Sequence, residues 1–345
     1  MKPTAVFIDT SILSGQGYNF SSAVLTAFVP VANTHGLKLL LPQVTEKEVK
    51  RQMAGKAQEA LSLLADVRRK APFLSKWKHC PEELLSQDSA AVRWGVTQAT
   101  DDAWKEFLAQ FDVVRLGYEG VRIDQIMAWY DGCLPPFGEG KKRKEFPDAF
   151  ALAAVDAYEK KSPDTCIAVV SADKDLKKAC ERYSSLQYFQ SLQRLTELLL
   201  KGDVDIDLIR EIVSESSELA EYIDAYLPEF QFFVYDDQFR LEKTKTHECS
   251  IDDLQIIGVG EDECTLSFDG SFEAEHELCW MDWSYHHGPD EPPEPWEQEG
   301  WVSQMYEFSG VAKVRVNRAA REIEEVLLVD FESERFTITK RPYYL

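Results

Sequence analysis

Up to about residue 200 the chain alternates short, unbroken apolar runs with longer stretches of helical periodicity, an order that few folds accept. "AVFI" (5–8) reads as a buried strand and precedes a helix from about Ser21 to Thr34, with Ala23, Val24, Ala27, Phe28 and Val31 on its buried side. "LKLLL" is a second strand closed by Pro42. A long polar helix follows from about Thr45 toward Lys70, then others near Glu82 to Gln110 and Tyr118 to Tyr130. "CLPPFGEGKKRKEF" is a loop by its Pro, Gly and basic residues, and "PDAFALAAVDAYEKK" a helix with Pro147 suited to the first turn. "TCIAVVS" is a third strand, "DKDLKKACERY" a helix, "LQYF" a fourth strand and "LQRLTELLL" a closing helix. Strands interleaved with helices predict a parallel sheet covered by helices, an α/β fold.

After roughly Gly202 the pattern changes. "IDLIREIVSESSELAEYIDAYL" is helical, and period-two runs follow, such as "FQFFVYD", "CTLSFDGSFEAEHE", "GVAKVRVNR" and "EVLLVDFESERFTIT". Such runs predict antiparallel strands packed on one face. The expectation is therefore an α/β domain over residues 1–202 and a β-rich (α+β) acidic domain over 203–345, introduced by a helical connector, with "HHGPDEPPEPWEQE" as a loop. A length of 345 residues agrees with two cores rather than one.

Charge separates the halves more sharply. Residues 201–345 hold 12 Lys and Arg against 35 Asp and Glu, a net of −23, whereas the first 200 hold 26 against 25, a net of +1. Between Lys245 and Lys313 there is no Lys or Arg. Solubility, a docking surface for a basic partner protein, and restraint of the first half by the second are all open readings of this asymmetry. No apolar run approaches the roughly 18 residues of a membrane helix, and the Met-Lys-Pro start leaves no room for a signal peptide. The cysteines (80, 133, 166, 180, 249, 264 and 279) are odd in number and show no Cys-x-x-Cys, which predicts a reducing, cytoplasmic setting without a disulfide framework. Cys249, Cys264 and Cys279 with His286 and His287 lack zinc-ligand spacing, and Trp280, Trp283, Trp296 and Trp301 read as packing or loop-flanking residues of the β domain, with partner binding open.

In open parallel sheets ligands bind beyond the carboxyl ends of the strands. Asp9 ends the first strand in "AVFIDTSIL", and Asp173 follows the third in "IAVVSADKD". Asp148 stands in the first turn opened by Pro147, and Glu48, with Glu46 as the less favoured choice, lies where the second strand gives way to a helix. Each has a structural alternative, as a cap, a helix-dipole residue or a solvated acid. Taken together at element ends they suit a hard divalent cation, Mg²⁺ or Mn²⁺.

The order "FIDTSIL", "LPQVTEKEV", "KEFPDAFALAAV", "IAVVSADKDL" resembles a PIN domain, the metal-dependent ribonuclease fold of many bacterial toxins and RNA-processing nucleases, over about residues 4–200. The resemblance implies Asp9, Glu48, Asp148 and Asp173 as an acidic quartet, with Asp9, Asp148 and Asp173 as metal ligands, Asp175 as an accessory acid and Glu48 orienting water. Thr10 and Ser11 occupy the hydroxyl or amide positions after the first aspartate, where many members carry asparagine in place of Ser11. The extra helix between Glu48 and Asp148 points to an enlarged PIN-like group. The implied activity is endonucleolytic cleavage of RNA, favoured over single-stranded DNA, leaving 5′-phosphate and 3′-hydroxyl ends, in a toxin-like or defence-like role. A non-catalytic PIN scaffold is the alternative; a haloacid-dehalogenase-like phosphatase needs a second aspartate where Ser11 stands. Lys141, Lys142, Arg143 and Lys144 read as nucleic-acid contacts or as a solvated loop, and Arg68, Arg69, Lys70, Lys76 and Lys78 with Phe73 and Trp77 as a second basic and aromatic stretch. Oligomeric state is open, a dimer being one option.

Overall fold

A computed structural model describes residues 2–73, 89–138, 145–162, 165–201, 204–236, 238–260, 262–282 and 296–342. The chain divides into two compact units, Met1–Leu199 and Leu200–Leu345. Among the described residues no helix is long and apolar enough to cross a membrane.

The first unit runs β1 (Ala5–Ile8), α1 (Thr10–Gly15), α2 (Ala23–Thr34), β2 (Lys38–Pro42), α3 (Gln43–Lys70), α4 (Ser89–Leu108), β3 (Asp112–Leu116), α5 (Ile123–Asp131), α6 (Phe146–Lys161), β4 (Ile167–Val170), α7 (Lys174–Cys180), β5 (Leu186–Phe189) and α8 (Leu192–Leu200). Its five strands form one parallel sheet in the order β3-β2-β1-β4-β5. Every residue of β1 and β4 is buried, as expected of strands covered by helices on both faces. Ala5, Phe7 and Leu40 meet Ala151, Leu152 and Val155 of α6 and Ile167 and Val169 of β4 in one apolar cluster. Burying three such side chains as Phe7, Leu152 and Val155 is worth roughly 1.5–3 kcal/mol each.

The sheet has one strand more than the sequence predicts. "DVVRL" forms β3 at the sheet edge, and its first four residues are exposed or half-buried. An edge strand with Asp112 and Arg115 in it lacks the unbroken apolar run that marks β1 and β4, so its pattern merges with the adjoining helices. The helix expected from Tyr118 begins at Ile123, after a turn in which Gly120 adopts a φ of +86°.

The second unit opens with α9 (Val204–Glu215) and α10 (Glu218–Tyr226), two helices where the sequence suggests one connector. A 3₁₀ turn (Leu227–Glu229) leads to β6 (Gln231–Val234), β7 (Phe239–Val259), β8 (Glu263–Asp282), β9 (Trp296–Asn317), β10 (Glu322–Phe331) and β11 (Arg335–Ile338). Strands β10-β9-β8-β7 form an antiparallel sheet, and β6 pairs in parallel with β11. The parallel pair is a departure from the all-antiparallel expectation, because period-two patterning shows a half-buried strand without its direction. "WEQE" (296–299), expected in a loop, belongs to β9; residues 286–295, with His286 and His287, lie outside the described residues, as does Trp283. Trp280 is buried, whereas Trp296 and Trp301 are exposed. Phe268, Phe272, Tyr306, Phe308 and Phe336 join Ile209, Leu219 and Ile223 in the core of this unit.

Candidate metal centre at the carboxyl ends of the strands

From β1 the chain steps through β2 to β3 on one side, then crosses to β4 on the other. The reversal between β1 and β4 opens a crevice beyond their carboxyl ends, where open α/β sheets bind ligands. The register pairs Ile8 with Val170, and the Asp9 amide donates to the Val170 carbonyl at 2.9 Å, so the chain leaves both strands at the same level.

Asp9 then caps α1 with its backbone still extended. Its Oδ2 accepts from Ser11 Oγ at 2.5 Å and from Ser171 Oγ at 2.8 Å. Both serines reach across in turn. Ser11 Oγ accepts from the Ala172 amide at 3.1 Å, and Ser171 Oγ from the Asp173 amide at 3.0 Å. The two hydroxyls thus hold the loops after β1 and β4 together and aim Asp9 Oδ1 away from them; Thr10 Oγ1 lies 3.4 Å from that oxygen. Tyr188 on β5 donates to the Ser171 carbonyl at 2.6 Å and pins the same loop from the other side.

Asp173 caps α7 by accepting from the Asp175 amide at 2.7 Å. Asp148 projects from the first turn of α6, with Pro147 beside it and Glu145 at the cap position. One carboxylate oxygen each from Glu145, Asp173 and Asp175 lies within 4.8 Å of the others. Burial first, then the charges of Asp9, Glu48, Glu145 and Asp173, pushes the Asp148 carboxyl up to about 7. Four carboxylates close enough to oppose ionisation of a fifth, half-buried one form a donor set made of oxygen alone, which fits a hard divalent cation and not zinc or copper.

Glu48 comes from α3, which starts where β2 ends. Gln52, one turn on, donates to Glu48 Oε1 at 2.9 Å and accepts from the Tyr18 hydroxyl at 2.5 Å. Glu46 turns elsewhere, pairing with Lys50 at 3.2 Å and with Arg115 of β3 at 3.5 Å. The unpredicted edge strand therefore supplies the cation that separates the two glutamates.

The structure brings together Asp9, Glu48, Asp148 and Asp173, with Asp175 beside Asp173 and Lys178 3.5 Å from it. Sequence reasoning missed Glu145 and Ser171. Both had a visible signal: Glu145 stands three residues before Asp148, a spacing that keeps side chains on one side of a starting helix, and Ser171 is the first residue after the β4 run. Lys141, Lys142, Arg143 and Lys144 lie outside the described residues, as do Lys76, Trp77, Lys78 and the side chain of Arg68. Arg69 is paired with Asp66 at 3.0 Å, and Phe73 is 68% exposed.

No curated protein and no solved structure matches the chain. Residues 6–176 match the family model of the PIN domain. The matched stretch runs from β1 to α7 and so takes in Asp9, Glu48, Asp148, Asp173 and Asp175. Residues 6–176 thus match the PIN domain family, whose members are in general nucleases that bind nucleic acid and use divalent metals.

Proposed function

We propose that this protein is a metal-dependent endoribonuclease of toxin-like or defence-like role, cutting RNA in preference to single-stranded DNA. The observation that carries the reading is the oxygen-only cluster in the crevice: one carboxylate oxygen each of Glu145, Asp173 and Asp175 lies within 4.8 Å of the others, and burial, then the charges of Asp9, Glu48, Glu145 and Asp173, pushes the nearby Asp148 carboxyl up to about 7. Such crowding costs stability in a bare protein, and a bound cation relieves it.

Asp9, Asp148 and Asp173 would hold Mg²⁺ or Mn²⁺, with Asp175 as the accessory acid. When bound, the metal supplies Lewis acidity toward a phosphoryl oxygen and makes water a stronger nucleophile. Ser11 and Ser171 fix the rotamer of Asp9, so the carboxylate does not have to be ordered during binding. Glu48, clamped by Gln52, accepts a hydrogen bond from the attacking water and keeps its lone pair toward phosphorus. Water oxygen bonds to phosphorus and releases one proton to solvent, the bond from phosphorus to O3′ breaks, and O3′ takes up a proton from solvent, which leaves 5′-phosphate and 3′-hydroxyl ends.

End-labelled single-stranded RNA tests the reading directly. Cleavage in Mg²⁺ or Mn²⁺ that stops in EDTA and in Asp9→Asn is the expected result. Undiminished cleavage in EDTA, or by the variant, would overturn it.

A further inference from the structure

A stripe of α3 leads away from the carboxylates. Glu48, Gln52 and Lys56 follow one another at intervals of four residues and lie on one side of the helix, about 12 Å apart from first to last. Tyr18 packs along the stripe. Its hydroxyl donates to Gln52, and the Lys56 ammonium stands over the face of its ring, 5.5 Å from the centroid.

Two features set this lysine apart from a solvated one. Tyr18 adopts a φ of +60° directly after Gly17 at +63°, a left-handed conformation that bulky residues rarely take, and its ring is buried. The chain accepts that strain and in return gains a fixed platform beside Glu48. Lys56 is exposed and, among the described residues, pairs with no carboxylate, whereas Lys50 and Arg69 on the same helix are paired with Glu46 and Asp66. A cation held on an aromatic face keeps its charge outward and its position defined.

We propose that Lys56, seated on Tyr18, receives a backbone phosphate of the bound nucleic-acid strand next to the one being cut. The proposal rests on the nuclease reading above and adds to it where the strand runs. Successive phosphates of an unstacked single strand are separated by most of a nucleotide's extended length, so a span of about 12 Å from Glu48 to Lys56 brings a phosphate neighbouring the cut one within reach of the ammonium. The crowded carboxylates repel a polyanion, and a fixed cation two turns away on the helix that carries Glu48 offsets this where the strand must lie.

Binding of a short labelled single-stranded RNA, measured against salt in the full-length Asp9→Asn protein with Mg²⁺, tests the seat without cleavage. Adding Lys56→Gln should flatten the slope of log K against log salt by about 0.7, the amount expected for one lost phosphate contact on a single strand. The added weakening then shrinks about threefold between roughly 50 and 200 mM salt. Lys56→Arg should keep the slope, and so should Lys38→Gln at the opposite end of the sheet. An unchanged slope in Lys56→Gln, an equal flattening in Lys38→Gln, or no binding at all would overturn the seat. Because wild-type cleavage is scored separately, RNA cleavage with an unchanged Lys56→Gln slope sinks this proposal alone, and absent cleavage sinks the nuclease reading.

Discussion

The two units treat acidic residues in opposite ways. The first 200 residues are nearly neutral, at +1, yet they drive five carboxylates into one crevice. The remainder, at −23, spreads its acids along strands where some are matched across the ladder, as in Lys243–Glu277 at 3.2 Å and Lys245–Glu275 at 3.8 Å. The lesson is that the number of carboxylates does not make a site. Parallel strands deliver the chain to one edge of the sheet, so residues distant in sequence meet there. Antiparallel strands return the chain along their own length, and side chains across the ladder meet in pairs. A pair of exposed opposite charges is worth only about 0–1 kcal/mol and shifts little, whereas crowded like charges in a half-buried crevice cannot all ionise.

Neutralising one crowded acid is the most severe way to probe that contrast. Asp9→Asn should lower cleavage by on the order of a thousandfold while the metal-free fold is kept or slightly stabilised, because one repelling charge is gone. Thermal unfolding in EDTA beside the cleavage assay checks both halves of the statement. A marked fall in melting temperature would mean that Asp9 holds the fold together. Next in size is Ser171→Ala, which leaves every carboxylate in place and removes one hydroxyl that aims Asp9. Loss of about 10- to 100-fold in Mn²⁺ affinity, read by titration calorimetry, is expected. Unchanged affinity would assign the orientation of Asp9 to Ser11 alone.

The units should also answer pH in opposite senses. The Asp148 carboxyl is raised in the folded state, so the stability it lends is full below its unfolded value near 4 and drains away as pH rises through about 7. At pH 8 without metal, Asp148→Asn should therefore stabilise the first unit by up to about 4 kcal/mol, with little effect at pH 4. In the second unit His276 is fully buried, with Tyr306 2.8 Å from Nε2 and Thr244 3.0 Å from Nδ1. Burial lowers its imidazole to about 4. Its contribution is full above the unfolded value near 6.5 and is lost as pH falls toward 4, about 1–2 kcal/mol by pH 5. Hydrogen exchange resolved along the chain, at pH 5 and pH 8 in EDTA, would show the two trends. Parallel trends in both units would break the contrast.

The smallest effect concerns the tether. If the first unit is the nuclease proposed above, a net −23 tethered to it raises the negative potential that an RNA strand must enter. A chain ending at Gly202 should cleave generic single-stranded RNA up to about tenfold faster than the full chain at low salt, with the gap closing as salt screens the charge. Equal rates at low salt, with both chains folded, would remove restraint and leave recruitment of a basic partner as the better account of the acidic unit.

Much of this was legible in the residues themselves. Short apolar runs between amphipathic stretches determine a parallel sheet, because a strand buried on both faces has no room for polar side chains. The carboxylates that end or follow such runs, Asp9 and Asp173, stand out because a charge at a buried edge needs a partner. Composition also separates the two units near residue 200, where the acid excess begins, with the period-two runs following after a helical stretch. What no local pattern contains is adjacency. The placement of β4 beside β1, decided by the packing of α6 against both, sets Ser171 against Asp9 and makes neighbours of residues 162 positions apart. The pairing of β3 with β2 brings Arg115 to Glu46 and leaves Glu48 to the crevice, a choice between two glutamates that their own helix leaves nearly even. The strained turn that sets Tyr18 against Gln52 and Lys56 belongs to the same class. Side-chain periodicity reports which face of an element is buried, because burial depends on the residue alone; which element covers that face depends on the whole chain, and there the chemistry of this protein was decided.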